Sequence, residues 1–241
     1  MKSSRPDRAR PDGGRPDRGR PEREATPFAY GRIAELYDTW LRVFGFKRGV
    51  EQFLERVDWR LPSRPRMLDA GAGTGINSLW FLRRFPDSEV VAFDIDRRML
   101  AVLARSARRL GEVRHRLTVA HGDLRAPDVL TRLDTGQAVM LAEHSFDAVV
   151  VGAALEHVPL DGALERLARL LRPGGLFLNV GVRPGPPGAM LGRIYHFRPY
   201  TTGEILRFLS HLGFVDAAVL RLVPADFPAN LTRIAVIARK G

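Results

Sequence analysis

The sequence contains no cysteine, and this absence excludes several kinds of chemistry. Disulfide bridges, thiolate metal ligands and a cysteine nucleophile are ruled out. Methylation at carbon 5 of a pyrimidine through a covalent cysteine adduct is excluded for the same reason. Long apolar runs are missing too. No uninterrupted stretch approaches the roughly 18 residues that a membrane span needs, and the charged N-terminus has no signal-peptide apolar region. We therefore expect a cytoplasmic protein without a membrane span.

Acidic residues are scarce relative to basic ones, 27 against 38, so the net charge is +11 at pH 7. Residues 1–26 contribute eight basic and five acidic side chains, a net charge of +3. A basic surface attracts nucleic acids. The arginines outside this segment are, however, scattered along predicted helices without interleaved aromatics. The excess basic residues have two explanations, a nucleic-acid partner and solvated helix faces. The second is favoured, and charge alone leaves the first open.

Composition divides the chain into a tail and one domain. Residues 1–26 repeat a short Arg-Pro-acid unit every five residues and cannot bury enough apolar surface to offset their ordering entropy, so we expect disorder. Residues 27–241 are sufficient for one α/β core. Within them, 27–60 has apolar residues at helical spacing and is predicted to form a helical cover. The Pro- and Gly-rich segment 181–200 is predicted to be a substrate lid.

A glycine-rich turn is the most informative stretch. Residues 67–76 read Met-Leu-Asp-Ala-Gly-Ala-Gly-Thr-Gly-Ile, an apolar strand followed by glycine at every second position and then by helical spacing. Glycine is used where the backbone turns tightly or lies against a ligand. The dinucleotide fingerprint G-x-G-x-x-G would need glycine where Ile76 stands, which disfavours a nicotinamide cofactor. Asp69, before the first glycine, would repel a pyrophosphate but attract an ammonium group.

The pattern Asp69-x-Gly71-x-Gly73-x-Gly75 resembles the first motif of the class I S-adenosylmethionine (SAM) methyltransferases. The resemblance implies SAM as the cofactor, with these four residues among those that bind it. SAM carries an amino acid and a sulfonium but no phosphate, which agrees with the acid beside the glycines. Taken alone, the glycine loop leaves a purely structural turn as the alternative.

An acidic residue also follows the next predicted strand. Residues 90–93 are apolar, and Asp94 comes directly after them, 23 residues past Gly71. At about this spacing an acid at a strand tip reaches a ribose, and a carboxylate there can accept hydrogen bonds from both hydroxyls. We expect Asp94 to bind the ribose and the adjoining Ile95 to belong to the same site.

Two further segments are similar to cofactor-contacting segments of this family. His-Gly-Asp-Leu at 121–124 follows the third predicted strand. In the motif it resembles, the acid accepts from the adenine amino group and the next residue packs on the ring, which implies these roles for Asp123 and Leu124. Ile-Ala-Glu-Leu-Tyr-Asp at 33–38 is similar to the segment whose tyrosine closes over the cofactor. That role would fall to Tyr37, with a core aromatic as the alternative.

The exit loop of the fourth predicted strand carries the candidate catalytic residues. Residues 146–159 contain F-D-x-V and L-E-H-V-P, similar to the type 11 methyltransferases, including those of ubiquinone biosynthesis. A neutral imidazole at His157 can act as general base, with Glu156 beside it. The alternative is that both residues only cap and orient the loop. One metal-dependent branch has E-x-x-E-H here, but Ala153 replaces the first glutamate, so we expect no bound metal.

The resemblance covers residues 30–240 and implies a Rossmann-like α/β fold: a seven-stranded, mostly parallel sheet with one antiparallel strand near the C-terminus and helices on both faces. Asp96 is the predicted N-cap of a helix, and Thr201-x-x-Glu204 is a predicted capping box. Residues 126–145 exceed what the family usually needs, and we expect a short added helix or excursion there.

The sequence therefore predicts an enzyme, a SAM-dependent methyltransferase that transfers a methyl group to an O, N or C atom of a small molecule by in-line displacement. An RNA methyltransferase is one alternative, favoured only by charge; the lack of N/D-P-P-Y/F after the fourth strand argues against exocyclic-amino methylation. A regulatory protein that binds SAM without turnover is another. The oligomeric state and the acceptor are not indicated.

Overall fold

The structure, a computed structural model, describes residues 45–195 and 197–241, with the backbone alone at 112, 187, 190, 191, 194 and 195. The predictions for the tail 1–26 and for Tyr37 lie outside the described residues, as does the part of the predicted helical cover before Gly45. The described part of that cover contains one helix, α1 (Phe46–Glu55), which buries Val50, Phe53 and Leu54.

The rest of the described chain consists mostly of strands and helices. In order they are β1 (Arg66–Ala70), α2 (Ile76–Arg84), β2 (Glu89–Asp94), α3 (Arg97–Arg109), β3 (Leu117–His121), β4 (Val129–Arg132), β5 (Ala138–Met140), β6 (Phe146–Gly152), α4 (Leu160–Leu170), β7 (Leu171–Val182), α5 (Pro186–Tyr195), α6 (Thr202–His211), β8 (Phe214–Leu220), α7 (Ala229–Thr232) and β9 (Arg233–Lys240). Short 3₁₀ helices lie at Gly111–Arg116, Leu155–His157 and Pro224–Asp226.

The strands of the described chain form one nine-stranded sheet in the order β5-β4-β3-β2-β1-β6-β7-β9-β8. The pairs β3–β2, β2–β1, β1–β6 and β6–β7 are parallel. β9 runs antiparallel to both of its neighbours, β7 and β8. The predicted Rossmann-like fold class is confirmed, and β9 is the predicted antiparallel strand near the C-terminus. Two additional strands extend the sheet beyond β3.

These additional strands come from the segment 126–145, where the expected excursion is a β-hairpin and the alternative of a short helix is wrong. β4 and β5 form an antiparallel hairpin, and β4 pairs antiparallel with β3. The spacing of three between Leu130 and Leu133 favoured a helix, but β4 ends between them. Leu130 alone is fully buried, while its neighbour Val129 is half exposed. Burial thus alternates along the segment, as it does in a strand with only one face covered.

Helices cover both faces of the sheet because successive strand residues point to opposite sides. On one face, Leu68, Phe93, Val149 and Phe177 pack against α4 and α6 in one core cluster. On the other face, residues such as Met67 and Leu178 pack against α1, α2 and α3 in a second cluster. The central strands β1 and β6 are buried on both faces, as expected of parallel strands.

The predicted helix caps are confirmed. The Asp96 carboxylate accepts from Arg98 N at 2.8 Å and begins α3. Thr201 Oγ1 accepts from Glu204 N at 3.2 Å, and Glu204 Oε2 accepts from Thr201 N at 2.7 Å, so the capping box begins α6. Both caps satisfy N–H groups that the first helical turn leaves unpaired.

The segment 181–200, predicted as a loop-like lid, is partly helical because α5 occupies its middle. Its function as a substrate lid stays a prediction. Within residues 45–195 and 197–241, no helix is both long and apolar enough to cross a membrane. The cytoplasmic location stays a prediction.

Candidate active site

The carboxyl ends of the parallel strands meet at one edge of the sheet. The loop 71–75 follows β1, residues 95 and 96 follow β2, residues 122–124 follow β3 and residues 153–157 follow β6. β1 lies between β2 and β6, where the strand order reverses. In open α/β sheets this point forms a crevice outside the strand ends, and ligands bind there.

The glycine loop borders open space at its centre. Gly71, Gly73 and Gly75 have φ of 72°, 53° and 84°, in the left-handed region that favours glycine. A Cβ at Gly71 would lie 2.3 Å from Ala154 Cβ, and one at Gly75 would lie 2.2 Å from Leu103 Cδ1. A Cβ at Gly73 would meet no atom within 4 Å. The outer two glycines therefore permit close packing, whereas Gly73 leaves its backbone accessible to a ligand.

Asp69 is fully buried beneath this loop. Its Oδ2 accepts from Ser78 N at 3.0 Å and Ser78 Oγ at 2.5 Å, and its Oδ1 accepts from Asn77 Nδ2 at 3.3 Å. Burial raises the pKa of Asp69 to about 6, against these hydrogen bonds, which lower it. The carboxylate thus ties β1 to the first turn of α2 and holds the glycine loop between them. Its direct contact with an ammonium group stays a prediction.

Asp94 lies at the tip of β2, opposite Gly73. Its Oδ2 accepts from Gly73 N at 2.8 Å, and its Oδ1 accepts from Asp96 N at 2.8 Å. Burial raises the pKa of the Asp94 carboxyl above its usual value. Each carboxylate oxygen can accept a second hydrogen bond, so Asp94 retains acceptor capacity beside the open space at Gly73. Ile95 follows with 60% of its surface exposed.

Asp123 and Leu124 lie beyond the end of β3, the strand next to β2. Asp123 is half-buried and receives hydrogen bonds from Arg125, including Nη2 to Oδ2 at 2.6 Å. Partial burial raises the pKa of Asp123, but the hydrogen bonds from Arg125 outweigh it, so the carboxyl titrates below its usual range. Leu124 is buried in the core cluster. In register, His121 stands beside Asp94, which places this segment next to the β2 tip.

Glu156 and His157 are adjacent in the 3₁₀ helix after β6 but have different surroundings. Glu156 is buried, and its Oε1 accepts from Val182 N at 2.5 Å. Its Oε2 has no hydrogen-bond partner among the described residues. His157 is exposed at one edge, and its ring packs edge-on against Phe197 with centroids 4.9 Å apart. Partial burial lowers the pKa of His157, and the charge of Glu156 opposes this shift.

The exit loop of β6 is tightly held. Ala153 has a φ of 53°, a conformation that costs a non-glycine residue free energy and needs support from its surroundings. Ala153 N donates to Val180 O at 3.0 Å, which fixes the loop to β7. Among the described residues, no group of three or more His, Asp or Glu side chains is arranged to hold a metal ion.

Sequence reasoning missed three polar residues at this edge. Asn77 and Ser78 hold Asp69, and Asn179 is buried on β7 with its Oδ1 unpartnered among the described residues. Asn179 interrupts the apolar run Leu-Phe-Leu-Asn-Val of β7, and this interruption is a signal that the sequence offered. No local pattern distinguishes Asn77 and Ser78 from ordinary residues of a helix start.

The fold is that of an α/β protein with a candidate ligand crevice at the carboxyl ends of β1 and β2. Solved structures share the fold. Geranyl diphosphate C-methyltransferase from Streptomyces coelicolor, in complex with Mg²⁺, geranyl diphosphate and S-adenosyl-L-homocysteine, aligns with a TM-score of 0.64 at 14% identity, covering 92% of this chain and 86% of that one. A phosphoethanolamine N-methyltransferase from Haemonchus contortus, in complex with SAM, aligns with a TM-score of 0.64 at 16% identity, covering 88% and 60%.

Sequence comparison identifies the family. The profile of a family described as a methyltransferase domain matches residues 68–179. A demethylmenaquinone methyltransferase from Thermus thermophilus is 31% identical over 220 residues, 88% of this chain and 90% of that protein. A ubiquinone/menaquinone biosynthesis C-methyltransferase from Dinoroseobacter shibae is 30% identical over 134 residues, 54% of this chain and 48% of that protein. The chain belongs to the SAM-dependent methyltransferases, as the sequence predicted.

Proposed function

We propose that this enzyme methylates an oxygen, nitrogen or carbon atom of a small molecule. The observation that carries the proposal is the open space at Gly73, bordered by the Asp94 carboxylate on the β2 side. SAM, when bound, supplies an electrophilic methyl group on its sulfonium. The crevice fits such a donor because its acids favour the ammonium and ribose groups and would repel a pyrophosphate.

The proposed cofactor contacts follow the strand tips. Asp94 accepts from the ribose hydroxyls, and the exposed Ile95 and the buried Leu124 bound the space for the adenine ring. Asp123 accepts from the adenine amino group while its salt bridge to Arg125 keeps it ionised. Asp69 acts through Ser78 by holding the glycine loop in place.

His157 is the proposed general base. Its lowered pKa keeps the imidazole neutral at pH 7, so its free ring nitrogen can take a proton from a hydroxyl or amine. The Glu156 carboxylate accepts a hydrogen bond from Val182 N and so positions the end of β7, beyond which α5 begins. Alignment of the acceptor with the methyl group supplies the larger part of the rate, since proximity alone can contribute roughly 7–11 kcal/mol.

An apolar acceptor is the class that suits the rim of the crevice. Phe227 and Leu231 are 64% and 52% exposed in the segment that follows β8, and Thr232 O accepts from Arg183 N at the start of the predicted lid. β8 runs parallel to β7, so this segment lies at the same edge of the sheet as residues 153–157. The relative from Thermus thermophilus is named for demethylmenaquinone. We include quinone-like aromatics among the acceptors to test.

The cofactor is tested by calorimetric titration with SAM, S-adenosylhomocysteine and NAD. We expect saturable binding of the first two and no heat from NAD, because Ile76 occupies the third glycine position of the dinucleotide fingerprint. Binding of NAD alone would contradict the proposal. A panel of small molecules incubated with radiolabelled SAM then identifies the acceptor. Binding of SAM with no transfer to any acceptor would favour a regulatory protein.

An RNA acceptor is the second candidate, and the net charge of +11 is the observation in its favour. An electrophoretic shift of RNA, measured with the full chain and with residues 1–26 deleted, tests it. A shift that depends on residues 1–26 assigns RNA binding to the tail and leaves the crevice with a small molecule. A shift that survives the deletion, together with label transfer to RNA, would support the RNA acceptor.

A further inference from the structure

A second cavity lies away from the cofactor crevice. It has a volume of about 400 Å³ and lies between the last turns of α3, the 3₁₀ helix Gly111–Arg116, the first residues of β3 and the turn after β4. β3 contributes Leu117, Thr118 and Val119, which are its amino-terminal residues. The cofactor crevice lies at the carboxyl ends of the same strands. The two spaces are therefore at opposite edges of the sheet.

The floor of this cavity is apolar. It is formed by two alanines of α3, two residues of β3 and one residue after β4: Ala104, Ala107, Leu117, Val119 and Leu133. The hairpin holds the last of these in place, because Leu133 N donates to Val119 O at 2.9 Å. α3 packs on β2 and β3, and the added hairpin extends the sheet past this helix. The hairpin thus leaves a half-covered apolar surface beside α3.

The rim of the cavity is positively charged. Arg108, Arg114 and His115 line it and are exposed, and their side chains have no hydrogen bond or ion pair with the other described side chains. Asp134 is the acid among the lining residues, and it is committed to Arg132 through Nη2 to Oδ2 at 2.8 Å. Side-chain hydrogen bonds from Arg132 lower the pKa of Asp134 to about 2, so Asp134 is ionised at neutral pH and its salt bridge to Arg132 is kept. Among the side chains that the structure describes, Arg108 and Arg114 have no counter-charge.

We propose that this cavity binds a small amphipathic anion, an aromatic or aliphatic body carrying a carboxylate, sulfonate or phosphate. The apolar body covers the floor, which removes apolar surface from water. The anionic group meets Arg108 and Arg114, whose planar guanidinium groups match carboxylate and phosphate oxygens in pairs. The volume lies within the range of small-molecule sites, and the lining combines an apolar floor with a charged rim. The site is independent of the methyl acceptor.

The probe for the first experiment is 1-anilinonaphthalene-8-sulfonate, whose fluorescence rises in apolar surroundings. The full chain is titrated with excess S-adenosylhomocysteine present, so that the cofactor crevice is filled. We expect saturable binding that weakens about tenfold or more in Arg108→Ser/Arg114→Ser, because each charge-assisted hydrogen bond contributes that much. The matched control, Arg109→Ser/Arg207→Ser, removes the same charge from α3 and α6 outside the cavity and keeps the affinity.

Equal affinity in the cavity variant and the control variant would overturn the proposal. The variant Ala104→Phe fills the floor without changing charge, and we expect it to lose the probe as well. Displacement by inorganic phosphate as readily as by non-fluorescent naphthalene-1-sulfonate would also overturn it, since a plain anion patch needs no apolar body. Loss of RNA binding in Arg108→Ser/Arg114→Ser with the probe affinity unchanged would assign the arginines to nucleic acid instead. Failure of S-adenosylhomocysteine to bind would count against the proposed function and would leave this comparison intact.

Discussion

Three carboxylates that the sequence places together have different electrostatic roles. Asp69 is fully buried and Asp94 lies at the edge of the crevice. Asp123 forms a salt bridge with Arg125. All three could be located from the sequence because each follows a predicted strand. Their roles could not be read in the same way, because burial and hydrogen-bond partners depend on residues distant in sequence, such as Ser78 for Asp69. The sequence predicts where along the strands these acids lie, and the packing decides what each acid contacts.

The raised pKa of Asp69 predicts a pH-dependent stability. Because its pKa is about 6 in the folded chain and 3.8 in the reference state, the folded state binds more protons between these values. Stability should therefore fall as pH rises through this window, by about 3 kcal/mol for a shift of about two pH units. Asp69→Asn lacks this dependence. We expect the free energy of unfolding of the variant to rise by about that amount relative to the native chain between pH 4 and pH 7, measured by urea titration; a constant difference would contradict this.

Gly73 and Gly136 form a matched pair for testing the crevice. Both have positive φ, 53° and 69°, and a Cβ at either would meet no atom within 4 Å. Alanine at either position should cost about 1–2 kcal/mol of stability, the penalty of the left-handed conformation. Gly73→Ala should in addition weaken S-adenosylhomocysteine binding by about tenfold, because its methyl group enters the crevice. Calorimetry that finds equal affinity in both variants would place the cofactor elsewhere.

His157 carries the prediction for catalysis. His157→Ala should lower kcat by about 10²–10⁴-fold, the usual contribution of a general base, and leave S-adenosylhomocysteine affinity unchanged. Since its pKa is lowered, the acid limb of the kcat/KM profile should lie below pH 6.5 in the native chain and be absent in the variant. His211→Ala is the control, from the exposed end of α6. Unchanged turnover in His157→Ala would remove this residue from the mechanism.

At the scale of elements, local signals performed better than those that depend on packing. Asp96 and Thr201 begin their helices as predicted, because a cap is a contact within four residues. The hairpin of β4 and β5 was missed, because its strands gain stability from the edge of β3 rather than from their own sequence. α5 within the predicted lid was missed since its prolines and glycines favour a loop.

The capping box of α6 gives a test at this scale. Thr201→Ala removes both the acceptor for Glu204 N and the donor to Glu204 Oε2. We expect a loss of about 1 kcal/mol in the free energy of unfolding by urea. Thr202→Ala, one residue further along the same helix, should cost less because Thr202 lies inside the first turn. Equal losses would mean that the cap does not stabilise α6.

The molecule as a whole should respond to its cofactor as one cooperative unit. Both core clusters contain residues of β1 and β6, the strands that precede the glycine loop and the turn with His157. A ligand that binds the native state alone stabilises it by about 2.7 kcal/mol at 100 times its Kd. We expect S-adenosylhomocysteine at that excess to raise the Tm in a single transition and NAD to leave it unchanged. Two separate transitions, with one insensitive to the ligand, would contradict this view.

The contact between Gly71 and Ala154 links the two halves of the reaction. The hydrogen on Gly71 stands where a methyl group would overlap the Ala154 side chain, so the glycine loop packs against the turn that carries His157. We expect this contact to couple seating of the donor to presentation of the acceptor, so that initial-rate kinetics show the donor adding first and its demethylated product leaving last.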